Sequence, residues 1–134
     1  MNGKAVYVDS SAFVKLFVLE PESEALLDFL TPREPRVSSL LLRTEVLRAA
    51  MRATLTPRRM HQVYALLDAV QLIPMDVAIS DAAGTLHPPE LRSLDAIHLA
   101  TARLLGSDLE ALVTYDARLA DAATWYGLTV VRPG

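Results

Sequence analysis

The 134 residues predict an α/β fold, a small parallel sheet with helices on both faces. Three observations carry that expectation. Short apolar, β-rich runs recur at "KAVYV", "PRVSS", "QLIPM", "EALVTYD" and "LTVVR". Between them lie longer stretches whose apolar residues follow helical spacing. Glycine is scarce, and most of the prolines fall between these segments as punctuation. Strands separated by helices lead to parallel pairing with both faces covered, and right-handed crossovers are the default.

Each element follows in turn. "KAVYV" is a good first strand, and a helix is expected from about Ser10 to Val18. "PESEALLDFL" starts another, with Pro21 near its first turn. "PRVSS" is a weaker strand that leads into the helix "LLLRTEVLRAAMRATL". There Leu40, Thr44, Leu47 and Met51 are expected to form the buried stripe, with Glu45 on the side of Leu41, Arg48 and Arg52. "TPRRMHQVYALLDAV" opens with a Thr56 cap and Pro57 at the first helical position, so two helices form a hairpin. "QLIPM" is a short strand, "DVAISDAAGTL" a helix and "HPPELRS" a loop. "LDAIHLATARLL" is a strong helix, with Ser93 as cap and Gly106 as stop. "EALVTYD" is a strand, "ARLADAATWY" a helix ended by Gly127, and "LTVVR" the last strand.

The length suits one domain, 1–134, since domains typically run to roughly 100–150 residues. With no cysteine, disulfides, thiolate metal sites and a catalytic thiol are excluded. The apolar runs fall far short of the roughly 18–20 residues that span a membrane, and the expectation is a soluble, cytoplasmic protein. The net charge of −3 hides an asymmetry. Between Arg33 and Arg59 lie seven arginines against two acids, a local +5, and the remainder carries −8. A basic block on an acidic body can steer an anionic partner such as nucleic acid, although arginines also simply solvate helix faces.

In open α/β sheets, ligands sit beyond the carboxyl ends of the strands. Asp9 follows "VYV" and Asp116 follows "LVTY"; Asp95 opens a helix, and Glu45 lies near the start of another. If the first and fourth strands are neighbours, the two strand ends and two helix starts converge on one rim. Each acid also has a purely structural reading as a helix cap, a first-turn acid or a solvated side chain. Together they repel one another, by about 3 kcal/mol per pair at 6 Å and an effective dielectric of about 20. Either some are protonated or a cation neutralises them. Carboxylate oxygens without thiols or a histidine pair suit a hard ion, Mg²⁺ or Mn²⁺.

"YVDSSAFVK", "RTEVLRA", "LRSLDAIHLATA" and "LVTYDARLADAA" together resemble the PIN domains, most closely the VapC-type ribonuclease toxins of bacterial toxin–antitoxin pairs. The resemblance covers essentially the whole chain. It implies a three-layer α/β/α sandwich with a small, mainly parallel sheet, and a Mg²⁺- or Mn²⁺-dependent endoribonuclease. It also implies a homodimer and a cognate VapB-type antitoxin, gripped by surfaces such as "FVKLFVLE" and the hairpin from Leu40 to Leu67. The family's acidic quartet falls on Asp9, Glu45, Asp95 and Asp116. Asp9, Asp95 and Asp116 are expected on the metal, directly or through water, with Glu45 joining them or positioning the attacking water. A further acid or asparagine often stands near the family's last aspartate; Asp121 is expected to face solvent instead.

Around this quartet, Ser10 and Ser11 are expected to orient Asp9, complete its cap or bind a phosphate, and Thr114 to serve beside Asp116. Arg43, Arg48, Arg52 and Arg92 are candidate guides for an RNA backbone. Lys15 is expected at the surface, and His98, one turn after Asp95, to be paired or partly buried. Trp125, Tyr126 and Tyr64 are expected in the core or at a subunit contact. Other acid-at-strand-end families fail on specific residues. A haloacid-dehalogenase-type site needs an aspartate at position 11, which is serine, and a receiver domain needs a late lysine where only Lys4 and Lys15 exist. A serine hydrolase lacks its glycine-flanked nucleophile turn. The remaining alternative is a catalytically silent PIN-like module that binds RNA or protein.

Overall fold

A computed structural model describes residues 4–134. The expected domain, 1–134, begins on three residues that lie outside the described ones. The sheet has five strands: β1 (Ala5–Val8), β2 (Arg36–Ser39), β3 (Gln71–Ile73), β4 (Leu109–Val113) and β5 (Val130–Val131). Their order is β3-β2-β1-β4-β5, and every pairing is parallel. The first and fourth strands are therefore neighbours at the centre. Seven α-helices are described: α1 (Ser10–Phe13), α2 (Ser23–Leu30), α3 (Leu41–Ala53), α4 (Pro57–Asp68), α5 (Val77–Gly84), α6 (Ser93–Arg103) and α7 (Ala117–Trp125). Among the described residues, no helix is long and apolar enough to cross a membrane.

Strand alternation sorts the side chains into two cores. From β1, Val6 and Val8 pack with Phe13, Leu26, Leu42 and Leu67, beneath α1 to α4. Ala5 and Tyr7 point the other way, into Ile79, Leu99, Leu112 and Leu119, beneath α5 to α7. The result is three layers, as expected.

Local chemistry explains most boundaries. Thr56 caps α4 by accepting the Arg59 N–H, with Pro57 at the first helical position. Asp76 caps α5 in the same way through Ile79. Gly127 adopts φ +84°, a left-handed conformation that ends α7. Thr54 does the same job after α3 at φ 53°, which a β-branched residue adopts only under strain.

Three expectations need correction. Leu42, Val46 and Ala50 form the buried stripe of α3, whereas Leu40 and Thr44 are exposed and Met51 is 65% exposed. This helix carries two apolar rows, and spacing alone does not say which one meets the sheet. Ser93 is the first residue of α6 rather than its cap; Arg92 occupies the cap position without a side-chain bond. Pro21 lies in a turn before α2.

Candidate active site

Strand register builds the centre of the site. Val8 pairs with Val113, so the next residues on β1 and β4, Asp9 and Thr114, emerge side by side at the carboxyl edge. Asp9 N–H continues the ladder to the Val113 carbonyl at 3.2 Å. The Thr114 hydroxyl donates to Asp9 Oδ2 at 2.5 Å and accepts the Asp116 N–H at 3.0 Å. The Ser11 hydroxyl donates to both Asp9 oxygens, at 2.8 and 3.0 Å, and accepts the Tyr115 N–H at 2.9 Å. Asp9 also caps α1, taking the Ala12 N–H on Oδ1 at 3.0 Å. Asp9 is therefore a helix cap, as its structural reading has it, and the same side chain stands at the carboxyl edge of the sheet.

Asp9 is only 2% exposed. Burial pushes its carboxyl above the usual range, against the opposing pull of Thr114, Ala12 and Ser11. Asp116 has two duties as well. Its Oδ1 caps α7 through the Leu119 N–H at 2.9 Å, and its Oδ2 faces the Arg92 guanidinium at 3.9 Å. The same guanidinium lies 3.9 Å from Asp95 Oδ2. Burial raises the Asp95 carboxyl, and the charges of Asp116 and then Asp9 raise it further, while Arg92 pulls the other way. The three aspartates thus share one field. Glu45 reaches the same rim from the opposite layer, where its Oε1 meets His98 Nε2 at 2.6 Å.

Beside these acids, Ser10, Ser11, Leu41, Glu45, Arg48 and Arg52 border an open hollow of about 660 Å³. Glu45, Arg48 and Arg52 thus share one side of α3, as the spacing predicts. A larger hollow of about 910 Å³ lies along α7, lined by His87, Pro88, Leu91 and Trp125, and holds none of the four acids.

The lesser candidates divide. Thr114 touches Asp9, but the serine that orients Asp9 is Ser11. Ser10 instead lines the hollow. Arg43 faces away, paired with Asp68 on α4 at 3.3 Å and set over the Tyr64 ring. Two residues along a helix amount to a rotation of about 200°, which separates Arg43 from Glu45. Lys15 is buried, held by Glu20 and Glu22 at 3.1 Å each, and Trp125 is 70% exposed. His98 is buried and paired, as expected, but its partner on a distant helix carried no sequence signal.

Among the described residues, no three His, Asp or Glu side chains converge tightly enough to enclose an ion by themselves. Mg²⁺ does not require that, because it keeps several waters and takes one or two carboxylates directly. The donor set is all oxygen, two carboxyls are held above their usual range, and a guanidinium already bridges Asp95 and Asp116. These features fit a hydrated hard cation.

The PIN domain family model matches residues 6–124. The chain belongs to the PIN domain family. This PIN domain is 52% identical over 130 residues to Ribonuclease VapC46 of Mycobacterium tuberculosis, covering 96% of this chain and 98% of that protein. It is 45% identical over 133 residues to Ribonuclease VapC35 of the same species, covering 96% and 97%. Among solved structures, a toxin–antitoxin complex from Klebsiella pneumoniae matches with a TM-score of 0.72 at 26% identity, covering 96% of this chain and 98% of that one. M. tuberculosis VapC20, described as a sarcin-ricin loop cleaving toxin, matches with a TM-score of 0.75 at 18% identity, covering 96% and 99%, a likeness of fold.

Proposed function

We propose that this PIN domain is a VapC-like toxin, an endoribonuclease that hydrolyses RNA phosphodiester bonds with Mg²⁺ or Mn²⁺ at the acidic rim. The observation that carries the reading is the acidic rim, where Asp9 follows the paired ends of β1 and β4 and a single guanidinium stands 3.9 Å from both Asp95 and Asp116. Acids gathered this way favour a divalent cation. Relatives named as ribonucleases over nearly the full chain support the same reaction.

Asp9, Asp95, Asp116 and Glu45 would hold the ion, directly or through water. When bound, it supplies charge neutralisation at the scissile phosphate. The protein's own residues do the rest. Thr114 and Ser11 fix Asp9, and the cap to Leu119 holds Asp116 Oδ1 and leaves Oδ2 facing Arg92. Glu45 positions the attacking water and accepts its proton, while Arg48 and Arg52 bind backbone phosphates along the hollow. Arg92, exposed and 3.9 Å from both Asp95 and Asp116, is placed to meet the RNA backbone beside the acids. The toxin acts in the cytoplasm as a homodimer, and a VapB-type antitoxin neutralises it.

The test is cleavage of end-labelled RNA by purified protein with Mg²⁺, Mn²⁺ or EDTA. Cleavage that needs the metal and disappears in Asp9→Asn and Asp95→Asn is the expected result. Full metal-dependent cleavage by Asp95→Asn would overturn the site, and intact RNA under every condition would favour a silent binding module. Co-expression with the adjacent gene product, followed by sizing of the complex, tests the partner and the dimer.

A further inference from the structure

The four acids leave a buried histidine unexplained. His98 is 1% exposed, and both ring nitrogens are engaged. Nδ1 meets the Tyr7 hydroxyl at 2.7 Å and Nε2 meets Glu45 Oε1 at 2.6 Å. The Tyr7 and His98 rings stand edge-on, 5.7 Å apart.

The hydrogens along this path can be assigned. The Ser39 N–H donates to the Tyr7 hydroxyl oxygen at 3.0 Å. The hydroxyl's own hydrogen then points elsewhere, and His98 Nδ1 lies within reach. Of the neighbouring hydroxyls, Thr101 is committed to the Ile97 carbonyl at 2.6 Å, and Ser38 Oγ is buried without a hydrogen-bond partner. An Nδ1 that accepts is bare, so Nε2 carries the ring hydrogen and donates it to Glu45. The opposite tautomer would set a bare nitrogen against a carboxylate oxygen at 2.6 Å, two acceptors with no hydrogen between them.

We infer that His98 is a positioning residue for Glu45, held as its Nε2–H tautomer by Tyr7 and Ser39. The path runs from β2 through β1 and α6 to α3, across both helical layers. It anchors a long side chain beside an open hollow and leaves Glu45 Oε2 free. A free glutamate is among the side chains with the most rotamer entropy to lose on ordering. A short, charge-assisted bond from a buried ring orders it before any ligand arrives. What Glu45 then does rests on the nuclease reading; the tautomer does not.

Two measurements test this. In ¹⁵N-histidine-labelled protein, His98 is expected to show a protonated Nε2 and a bare Nδ1, a pattern that Tyr7→Phe loosens. In Mn²⁺ titrations of the protein followed by electron paramagnetic resonance, His98→Leu is expected to bind about 10–100-fold more weakly. His98→Gln, whose amide can still donate to Glu45, recovers most of that loss. RNA kinetics should show the same order in kcat, with KM little changed. An Nδ1–H or doubly protonated ring in the wild type overturns the assignment, as does a folded His98→Leu with wild-type Mn²⁺ affinity. Should His98→Leu not fold, Tyr7→Phe and His98→Gln carry the same comparison. A wild type that neither binds Mn²⁺ nor cuts RNA defeats the nuclease reading instead. The proposal is then decided by the ring tautomer and by whether Tyr7→Phe increases the motion of the Glu45 methylenes.

Discussion

Replacing Thr114 with valine removes one hydroxyl, and its two hydrogen bonds, at the centre of the site. The two side chains are nearly the same size, so no cavity opens. What disappears is a 2.5 Å bond to a carboxyl group that is 2% exposed, and an acceptor for the Asp116 N–H. Losing the first leaves a buried carboxyl oxygen short of a partner, at a cost of about 1–3 kcal/mol, and the second contributes about 1 kcal/mol. Together they predict a loss of about 3 kcal/mol in urea unfolding at pH 7.5. The pH dependence has a definite sign. The Asp9 carboxyl is raised by burial, and Thr114 is the strongest influence lowering it, so the valine variant raises it further. Stability tied to a raised carboxyl is fully present below the unfolded value of about 3.9 and is lost as pH rises through the folded value. The deficit of Thr114→Val should therefore shrink as pH falls from 7.5 toward 4.5, and Thr114→Ser should recover most of it. Equal stability of the variant and the wild type, or a deficit independent of pH, would refute the reasoning.

Other outcomes follow from the same geometry. Arg48→Ala with Arg52→Ala should weaken RNA binding and lower the salt slope by about 1.5–2, while Arg43→Ala leaves both unchanged; filter binding across salt concentrations measures this. Without metal, Asp95→Asn should raise the melting temperature, because burial and two neighbouring acids disfavour its charge, and saturating Mn²⁺ should stabilise the wild type more than the variant. Arg92→Ala should change stability by less than about 0.5 kcal/mol in urea unfolding, since the exposed guanidinium stands 3.9 Å from both acids. Thr54→Gly should stabilise by about 0.5–1 kcal/mol in the same assay by relieving the left-handed residue that ends α3.

What the sequence made legible was local. "AVYV" and "EALV" announce strands because apolar, β-rich residues mark them, and an aspartate just after each is visible without any pairing information. Thr56 and Gly127 are readable for the same reason: capping chemistry acts over three or four residues. The misses concern choices made by distant neighbours. Leu42, Val46 and Ala50 won over Leu40, Thr44 and Met51 because the sheet lies on their side of α3. Ser11 rather than Ser10 reaches Asp9 because one helical step rotates the hydroxyl by about 100°. Lys15 is buried because Glu20 and Glu22 fold back onto it. The bond from His98 to Glu45 joins opposite layers, and no local pattern encodes it.

Asp9 and Asp116 each begin a helix as well as facing the rim, and that has a practical consequence for genetics. An alanine at either position would strip away a helix start along with the charge, and cap removal typically costs about 1 kcal/mol. In a cell, such a variant would lose part of its abundance to proteolysis, and a harmless phenotype would say little about catalysis. Asparagine starts helices about as well as aspartate, so it silences the charge while the protein level holds.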